Sequence, residues 1–130
     1  MARTFVEAIS RGLKRGQADF SVVVRQLLCC INFRPEWSMD VVQTALASRE
    51  LGVVGVDIAS GEHHFSIDAI HQLHRAAMDV AHAGGLPITV HAGEDGTAEN
   101  VAKAVDVYHA RRIGHGYHLL DDQAIYKVSA

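Results

Sequence analysis

Two short motifs in the second half of the chain combine residue types that can activate water. One runs from His91 to Glu94 and follows an apolar segment, and the other is His115, flanked by Gly114 and Gly116. A neutral imidazole is a common zinc ligand, and zinc lowers the pKa of a bound water. A carboxylate beside the metal can move protons during hydrolysis. The pattern predicts metal-assisted hydrolysis, with His91 as a zinc ligand, Glu94 as proton carrier and His115 as the residue that holds or deprotonates the water.

The other histidines have simpler interpretations. His63 and His64 lie in a predicted loop near these motifs, where they either contact a substrate or, as we favour, face solvent. His71, His74 and His82 belong to one predicted helix, and we expect its exposed face to carry them.

Four strand-like segments alternate with helical segments, and the two motifs follow the last two of these strands. The predicted strands are residues 21–31, 53–58, 86–90 and 112–115. Strands separated by helices pair in parallel, and parallel α/β folds gather catalytic residues at the carboxyl ends of their strands. Two architectures fit this pattern, an open doubly wound sheet or part of a (β/α)8 barrel. A whole barrel needs about 250 residues, so this chain could form about half of one.

The helices between the strands show amphipathic patterns. The basic first segment, residues 1–16, could be a mitochondrial presequence, but we favour an ordinary helix that ends at Gly16. We expect Ser66 to cap a later helix. The predicted buried positions are Phe5, Ala8, Ile9 and Leu13 in the first helix and Ile67, Ile70, Leu73, Ala77 and Ala81 in the later one.

Composition narrows the class of protein. The 130 residues are 48% hydrophobic and 21% charged, as in a globular domain, and the net charge of −3 offers no basic surface for nucleic acid. No apolar run approaches the roughly 20 residues of a membrane span. Cys29 and Cys30 are adjacent, so in a strand they point to opposite faces and cannot readily bridge. We interpret them as reduced core residues and predict a cytoplasmic protein without nucleic acid or membrane partners.

The motifs together resemble the adenosine deaminase family of metal-dependent adenosine/AMP deaminases. V-H-A-G-E at residues 90–94 and R-I-G-H-G-Y-H at residues 112–118 carry most of the resemblance. It extends to Q-L-L-C-C at 26–30, P-E-W-S at 35–38 and V-V-G-V-D-I-A at 53–59. The resemblance covers residues 4–124, and these motifs are highly specific in combination.

The resemblance implies a fold and an activity. The fold would be α/β, a partial TIM (β/α)8 barrel of about four βα units, with residues 1–130 forming strands three to six and lacking the first two and last two. The activity would be zinc-dependent hydrolysis of adenosine or 2′-deoxyadenosine to the inosine product and ammonia, in purine salvage. His91 would bind the single Zn²⁺, Glu94 would protonate the purine ring nitrogen nearest the reacting carbon, and His115 would orient or deprotonate the attacking water. The turn at Ser60 and Gly61 would donate a backbone N–H to the purine.

Departures from the family pattern leave alternatives open. The family turn reads D-L-A-G-D-E, whereas residues 57–62 read D-I-A-S-G-E, so Ser60 takes a glycine position and we expect a narrower pocket. The family's His-x-His pair and its later zinc-binding aspartate have no counterpart in these residues, so we expect the isolated chain to be inactive. A deaminase of adenine or a modified adenine nucleotide remains possible, as does a non-catalytic module that self-associates through open barrel edges. A cytidine-type deaminase is excluded, because the P-C-x-x-C ligand pair is absent.

Overall fold

A computed structural model describes residues 2–129 as one parallel sheet with helices between its strands. The strands are β1 (Gln26–Ile31), β2 (Val53–Ala59), β3 (Ile88–Ala92) and β4 (Arg112–His115), and the helices are α1 (Ala2–Phe20), α2 (Ser38–Leu46), α3 (Asp68–Ala83), α4 (Ala98–Asp106) and α5 (Gln123–Ser129). Short 3₁₀ turns occupy Pro35–Trp37, Arg49–Leu51, Glu62–Ser66 and Tyr117–Asp121.

The strand order decides between the two predicted architectures. The order in the sheet is β1-β2-β3-β4, and every neighbouring pair is parallel. A doubly wound sheet reverses its strand order at a switch point, whereas a barrel wall keeps chain order. The α/β fold class and the arrangement of a partial barrel wall are therefore confirmed.

Strand register brings the polar strand ends to one edge of the sheet. Ile58 pairs with Val90, and Ala92 pairs with His115. The residues that follow β2, β3 and β4 consequently leave the sheet at the same level. The predicted β4 has the bounds that the structure shows, whereas the first predicted strand is too long. Residues 21–25 precede β1 as a turn and loop, and the backbone N–H of Val24 donates to the side chain of Gln17 there.

The helices cover one face of the sheet and leave the other open. Strand residues such as Cys30, Val56 and Val90 are fully buried in a core with helix residues such as Val42 and Val101. Alternate strand residues point to the other face because side chains alternate along a strand. That open face carries Cys29, Asp57, Thr89 and His91. The two cysteines do point to opposite faces, but the prediction that both lie in the core is wrong, since Cys29 is exposed.

Helix α1 turns a different face to the protein from the one predicted. Phe5 and Ile9 are 65% and 51% exposed, whereas Val6 and Ser10 are buried. The Ser10 hydroxyl donates to the carbonyl of Leu51 at 2.6 Å and accepts from the side chain of Gln26 at 2.7 Å. These polar contacts fix the rotation of the helix, which the apolar pattern could not reveal. The helix also continues past Gly16 to Phe20.

Helix α3 buries Ala77 and Ala81 as predicted, but the rest of its predicted stripe is not buried. The helix begins at Asp68 with Ile67 in an extended N-cap conformation, so the prediction that Ser66 occupies the cap is wrong. Ile67 and Leu73 are exposed, and the buried positions are His74, Ala77, Met78 and Ala81. These four residues have the i, i+3, i+4, i+7 spacing of one helical face.

The predicted exposure of His74 is wrong as well. His74 is 1% exposed, and its Nδ1 lies 2.9 Å from the hydroxyl of Ser38 in α2. Nδ1 of His71 lies 2.7 Å from the phenolic oxygen of buried Tyr108. A histidine can be buried when a neighbouring element supplies a hydrogen-bond partner, and such a partner is distant in sequence. None of the helices within residues 2–129 has the length and apolar character needed to cross a bilayer.

Candidate active site

His91 stands at the carboxyl end of β3 on the open face of the sheet. Its Nδ1 lies 3.1 Å from the carboxylate of Asp57 on β2. When Nδ1 carries the proton it donates to Asp57, and Nε2 keeps a free lone pair. This pairing is typical of metal-ligating histidines, whose orientation a carboxylate fixes. Burial raises the pKa of Asp57, and His91 partly opposes that effect.

Gly114 makes room for the His91 ring. The two residues are register partners on β3 and β4. A Cβ at position 114 would lie 2.6 Å from Cδ2 of His91 and 2.9 Å from its Nε2, closer than such atoms can approach. Gly114 is therefore needed for the position of His91, because a side chain at residue 114 would displace the His91 ring.

Glu94 and His115 meet at the same sheet edge. Nε2 of His115 lies 3.2 Å from Oε2 of Glu94, and the side chains are 29% and 49% exposed. The ring centroids of His115 and His91 are 5.2 Å apart. The structure thus brings together the three residues singled out in the sequence, and it leaves the carboxylate open to a ligand.

His115 adopts a backbone conformation that non-glycine residues rarely take. Its φ is +71°, and that of the following Gly116 is +70°. A left-handed conformation costs a residue with a Cβ about 1–2 kcal/mol. The turn is held by a hydrogen bond from the Gly116 N–H to the carbonyl of Ala92 at 2.9 Å. Strain of this kind persists where the surroundings enforce it, commonly at functional sites.

The turn after β2 keeps a glycine-like backbone although it carries a serine. Ser60 has φ +74° and Gly61 has φ +70°. The Gly61 carbonyl accepts a hydrogen bond from the backbone N–H of His64 at 3.0 Å and lies 3.0 Å from that ring's Nδ1. The turn lies beside the loop that follows β3, because Ile58 and Val90 are register partners. Ser60 therefore adopts a left-handed backbone conformation that glycine takes more easily.

Two further acidic residues, for which no role was predicted, shape the site. Asp57 orients His91, and the carboxylate of Glu62 accepts hydrogen bonds from the loop that contains Glu94. Asp57 could have been found from the sequence, because a carboxylate within an apolar strand must lie on the face of the sheet that the helices leave open. Glu62 gives no comparable local signal, since its partners lie 31–38 residues away in the chain.

The residues that the structure describes supply part of a metal site. Within residues 2–129, no three His, Cys, Asp or Glu side chains are grouped so that they could hold one ion. A catalytic zinc ion usually has three protein ligands. Nε2 of His91 fits one ligand position, with Asp57 as the group that orients it, and the described residues do not fit the complete ligand set.

Comparison with known proteins points to one family. The whole chain, residues 1–130, matches the family model described as Adenosine deaminase. Two curated relatives, each described as adenosine deaminase, are 40% identical: the protein from Danio rerio over 122 residues, or 94% of this chain, and that from Bos taurus over 121 residues, or 93%. The match covers 33% of each relative, so the chain spans about one third of their length.

A solved structure shares the fold. The crystal structure of adenine deaminase from Arthrobacter aurescens superposes with a TM-score of 0.80 at 24% sequence identity. The superposition covers 98% of this chain and 38% of that one. Because the identity is low, this likeness supports the fold and not the substrate.

Proposed function

Because the chain belongs to the adenosine deaminase family, we propose that it forms the part of a zinc-dependent deaminase that carries the proton-transfer groups. The reaction would hydrolyse adenosine or 2′-deoxyadenosine to the inosine product and ammonia, within purine salvage in the cytoplasm. One observation carries the proposal: Nε2 of His115 lies 3.2 Å from the Glu94 carboxylate, with the His91 ring beside them at one sheet edge.

Each of the three side chains has a separate task in this proposal. Glu94, in its protonated form, donates to the purine ring nitrogen nearest the reacting carbon, which makes that carbon more electrophilic. His115 orients the attacking water and accepts its proton. His91 would contribute one ligand to the zinc ion, whose chemistry when bound is to make that water more acidic.

The turn after β2 would position the purine. Ser60 and Gly61 lie at the same sheet edge as His91, in a backbone conformation that turns the chain sharply. In the proposal, a backbone N–H of this turn donates to a purine nitrogen. The serine side chain would narrow the pocket relative to family members with glycine there, so adenine and modified adenine nucleotides belong in the substrate panel.

The test uses the full-length protein, meaning a chain that contains this segment together with the other two thirds of its relatives' length. Glu94→Gln should lower kcat for adenosine by about 10²–10⁴-fold, the usual contribution of a proton-transfer group. The zinc content should not change, because Glu94 is not a ligand in the proposal. The matched control is Glu36→Gln, an exposed glutamate paired with Arg34. A near-normal rate in Glu94→Gln would contradict the assigned role.

The isolated chain should behave differently from the full-length protein. With one zinc ligand among the described residues, we expect no deaminase turnover from residues 1–130 alone. We also propose that this chain self-associates, because apolar side chains of Phe5, Ile9, Leu27 and Trp37 are exposed around a groove between α1 and β1. Light scattering should give a mass above that of a monomer, and a stable monomer would contradict self-association.

A further inference from the structure

The carboxylate of Glu62 is surrounded by hydrogen-bond donors from the segment that follows β3. Four consecutive backbone N–H groups donate to it: Gly93 at 2.6 Å, Glu94 at 2.8 Å, Asp95 at 2.9 Å and Gly96 at 3.0 Å. The side-chain amide of Asn100, in the first turn of α4, donates at 3.1 Å. Glu62 itself is 5% exposed, so these protein donors replace the water that a carboxylate normally binds.

We propose that Glu62 is a positioning residue that fixes the direction of the Glu94 side chain towards His115. We call residues 93–96 the β3 loop. The proposal rests on the function proposed for Glu94 and adds a residue that acts through it. Glu62 binds the backbone N–H of Glu94 itself and those of its neighbours on both sides. The backbone from which the Glu94 side chain projects is thus held by one buried carboxylate.

The shape of the β3 loop fits a carboxylate at its centre. Gly93 has φ +71°, which turns the chain so that successive N–H groups point inward. A Cβ at Gly96 would lie 2.5 Å from Oε1 of Glu62 and would also collide with the Asn100 amide. The loop therefore wraps closely around the side chain, in the manner of a backbone anion-binding concavity.

The charge of Glu62 matters as well as its shape. Burial by itself raises the pKa of this carboxyl, but the hydrogen bonds from Gly93, Asn100, Gly96 and Asp95 outweigh burial and leave the pKa below its usual range. The group is therefore ionised at neutral pH, and both oxygens accept. A glutamine at position 62 would replace one of these acceptor oxygens by an NH₂ group, which would face the N–H donors of the surrounding loop.

Glu62 also connects two strand ends. It follows the Ser60–Gly61 turn at the end of β2, whereas its partners follow β3. The proposed purine-binding turn and the proposed proton carrier are thereby held at a fixed separation. A change at Glu62 should consequently alter the rate of the chemical step more than the capture of zinc by His91.

The main experiment is Glu62→Gln in the full-length protein, with kcat, KM and zinc content measured for adenosine. We expect kcat to fall by about 10–100-fold, as for a displaced catalytic group, with zinc content unchanged. The decisive readout is the Glu62→Gln/Glu94→Gln double variant. If Glu62 acts through Glu94, the double variant should have the kcat of Glu94→Gln alone. A further fall equal to the single-variant effect would show that Glu62 acts independently, and an unchanged kcat in Glu62→Gln would overturn the proposal directly.

A second readout uses the 130-residue chain and needs no activity. In NMR spectra, Glu62→Gln should shift the amide protons of residues 93–96 and remove the nuclear Overhauser contact between Glu94 and the His115 ring. The matched control is Glu36→Gln, which should leave both unchanged. Persistence of that contact in Glu62→Gln would overturn the proposal. If the wild-type full-length protein lacked deaminase activity, the proposed function would fail, and this spectrum would still decide the role of Glu62.

Discussion

Replacing Gly114 by alanine tests whether the sheet edge holds His91 in one orientation. The new methyl carbon would lie 2.6 Å from Cδ2 of the His91 ring and 2.9 Å from Cγ and Nε2. Carbon atoms pack at about 3.5–4.0 Å, so the ring would have to retreat by about 1 Å. Because the His91 side chain is 36% exposed, it can swing towards solvent rather than compress the core.

The structure sets the size of the expected effects. Swinging out breaks the hydrogen bond between Nδ1 of His91 and Asp57, which should lower the free energy of unfolding by about 0.5–1.5 kcal/mol. The full penalty of overpacking, about 1–3 kcal/mol, should not appear, because the His91 ring can move into solvent. In the full-length protein, a displacement of about 1 Å at a catalytic group should lower kcat/KM by about 10²-fold.

Two measurements on the 130-residue chain check this reasoning. Long-range ¹⁵N NMR of His91 should show the Nδ1-protonated tautomer in the wild type and lose that preference in Gly114→Ala, while urea denaturation gives the stability change. Gly12→Ala is the control, because nothing lies within 4 Å of a Cβ at that position in α1. It should stabilise the protein by about 0.5–1 kcal/mol. A Gly114→Ala protein with the wild-type tautomer and stability would refute the assigned contact.

Two further predictions concern stability. Ser60→Gly should raise the free energy of unfolding by about 0.5–1 kcal/mol, because it relieves the left-handed backbone conformation of a serine at φ +74°. Gly61→Ala should lower the free energy of unfolding, because it places a Cβ in the same kind of conformation. Thermal unfolding followed by circular dichroism compares the two variants, and equal effects would contradict this explanation. Burial lowers the pKa of His74 below 6.5, so below pH 6.5 the unfolded chain binds a proton that the folded chain excludes. The free energy of unfolding should therefore fall as the pH decreases below 6.5, by at most about 1.4 kcal/mol per pH unit. His74→Gln should reduce this pH dependence, measured by urea titrations at several pH values. An unchanged pH dependence in His74→Gln would show that other groups cause it.

Much of the candidate site could be predicted because it follows from strand alternation and strand ends. Apolar runs mark the strands, and a polar residue directly after such a run must lie at the carboxyl edge of a parallel sheet. His91 and His115 were identified in this way, and the register between β3 and β4 confirms that they are neighbours. The zinc ligation and the proton-transfer roles remain predictions.

Helix faces were harder to predict. In α1 and α3 the apolar residues allowed more than one face, and polar contacts decided which one is buried. Ser10 reaches Leu51, and His74 reaches Ser38 across 36 residues of chain. A hydrophobic pattern records where apolar side chains recur, but it does not record whether a polar side chain will find a partner on a neighbouring element.

Residue patterns along the chain were sufficient to predict the alternation of strands and helices and the residue types at the strand ends, and the motifs together were sufficient to predict the family. Three contacts could be found only in the folded chain: Glu62 accepts hydrogen bonds from the β3 loop, Asp57 pairs with Nδ1 of His91, and Gly114 leaves room for the His91 ring. These contacts join different strands, and they exist only because parallel pairing aligns the strand ends. Hydrogen bonds and steric contacts depend on distances in space, which residue spacing along the chain does not specify.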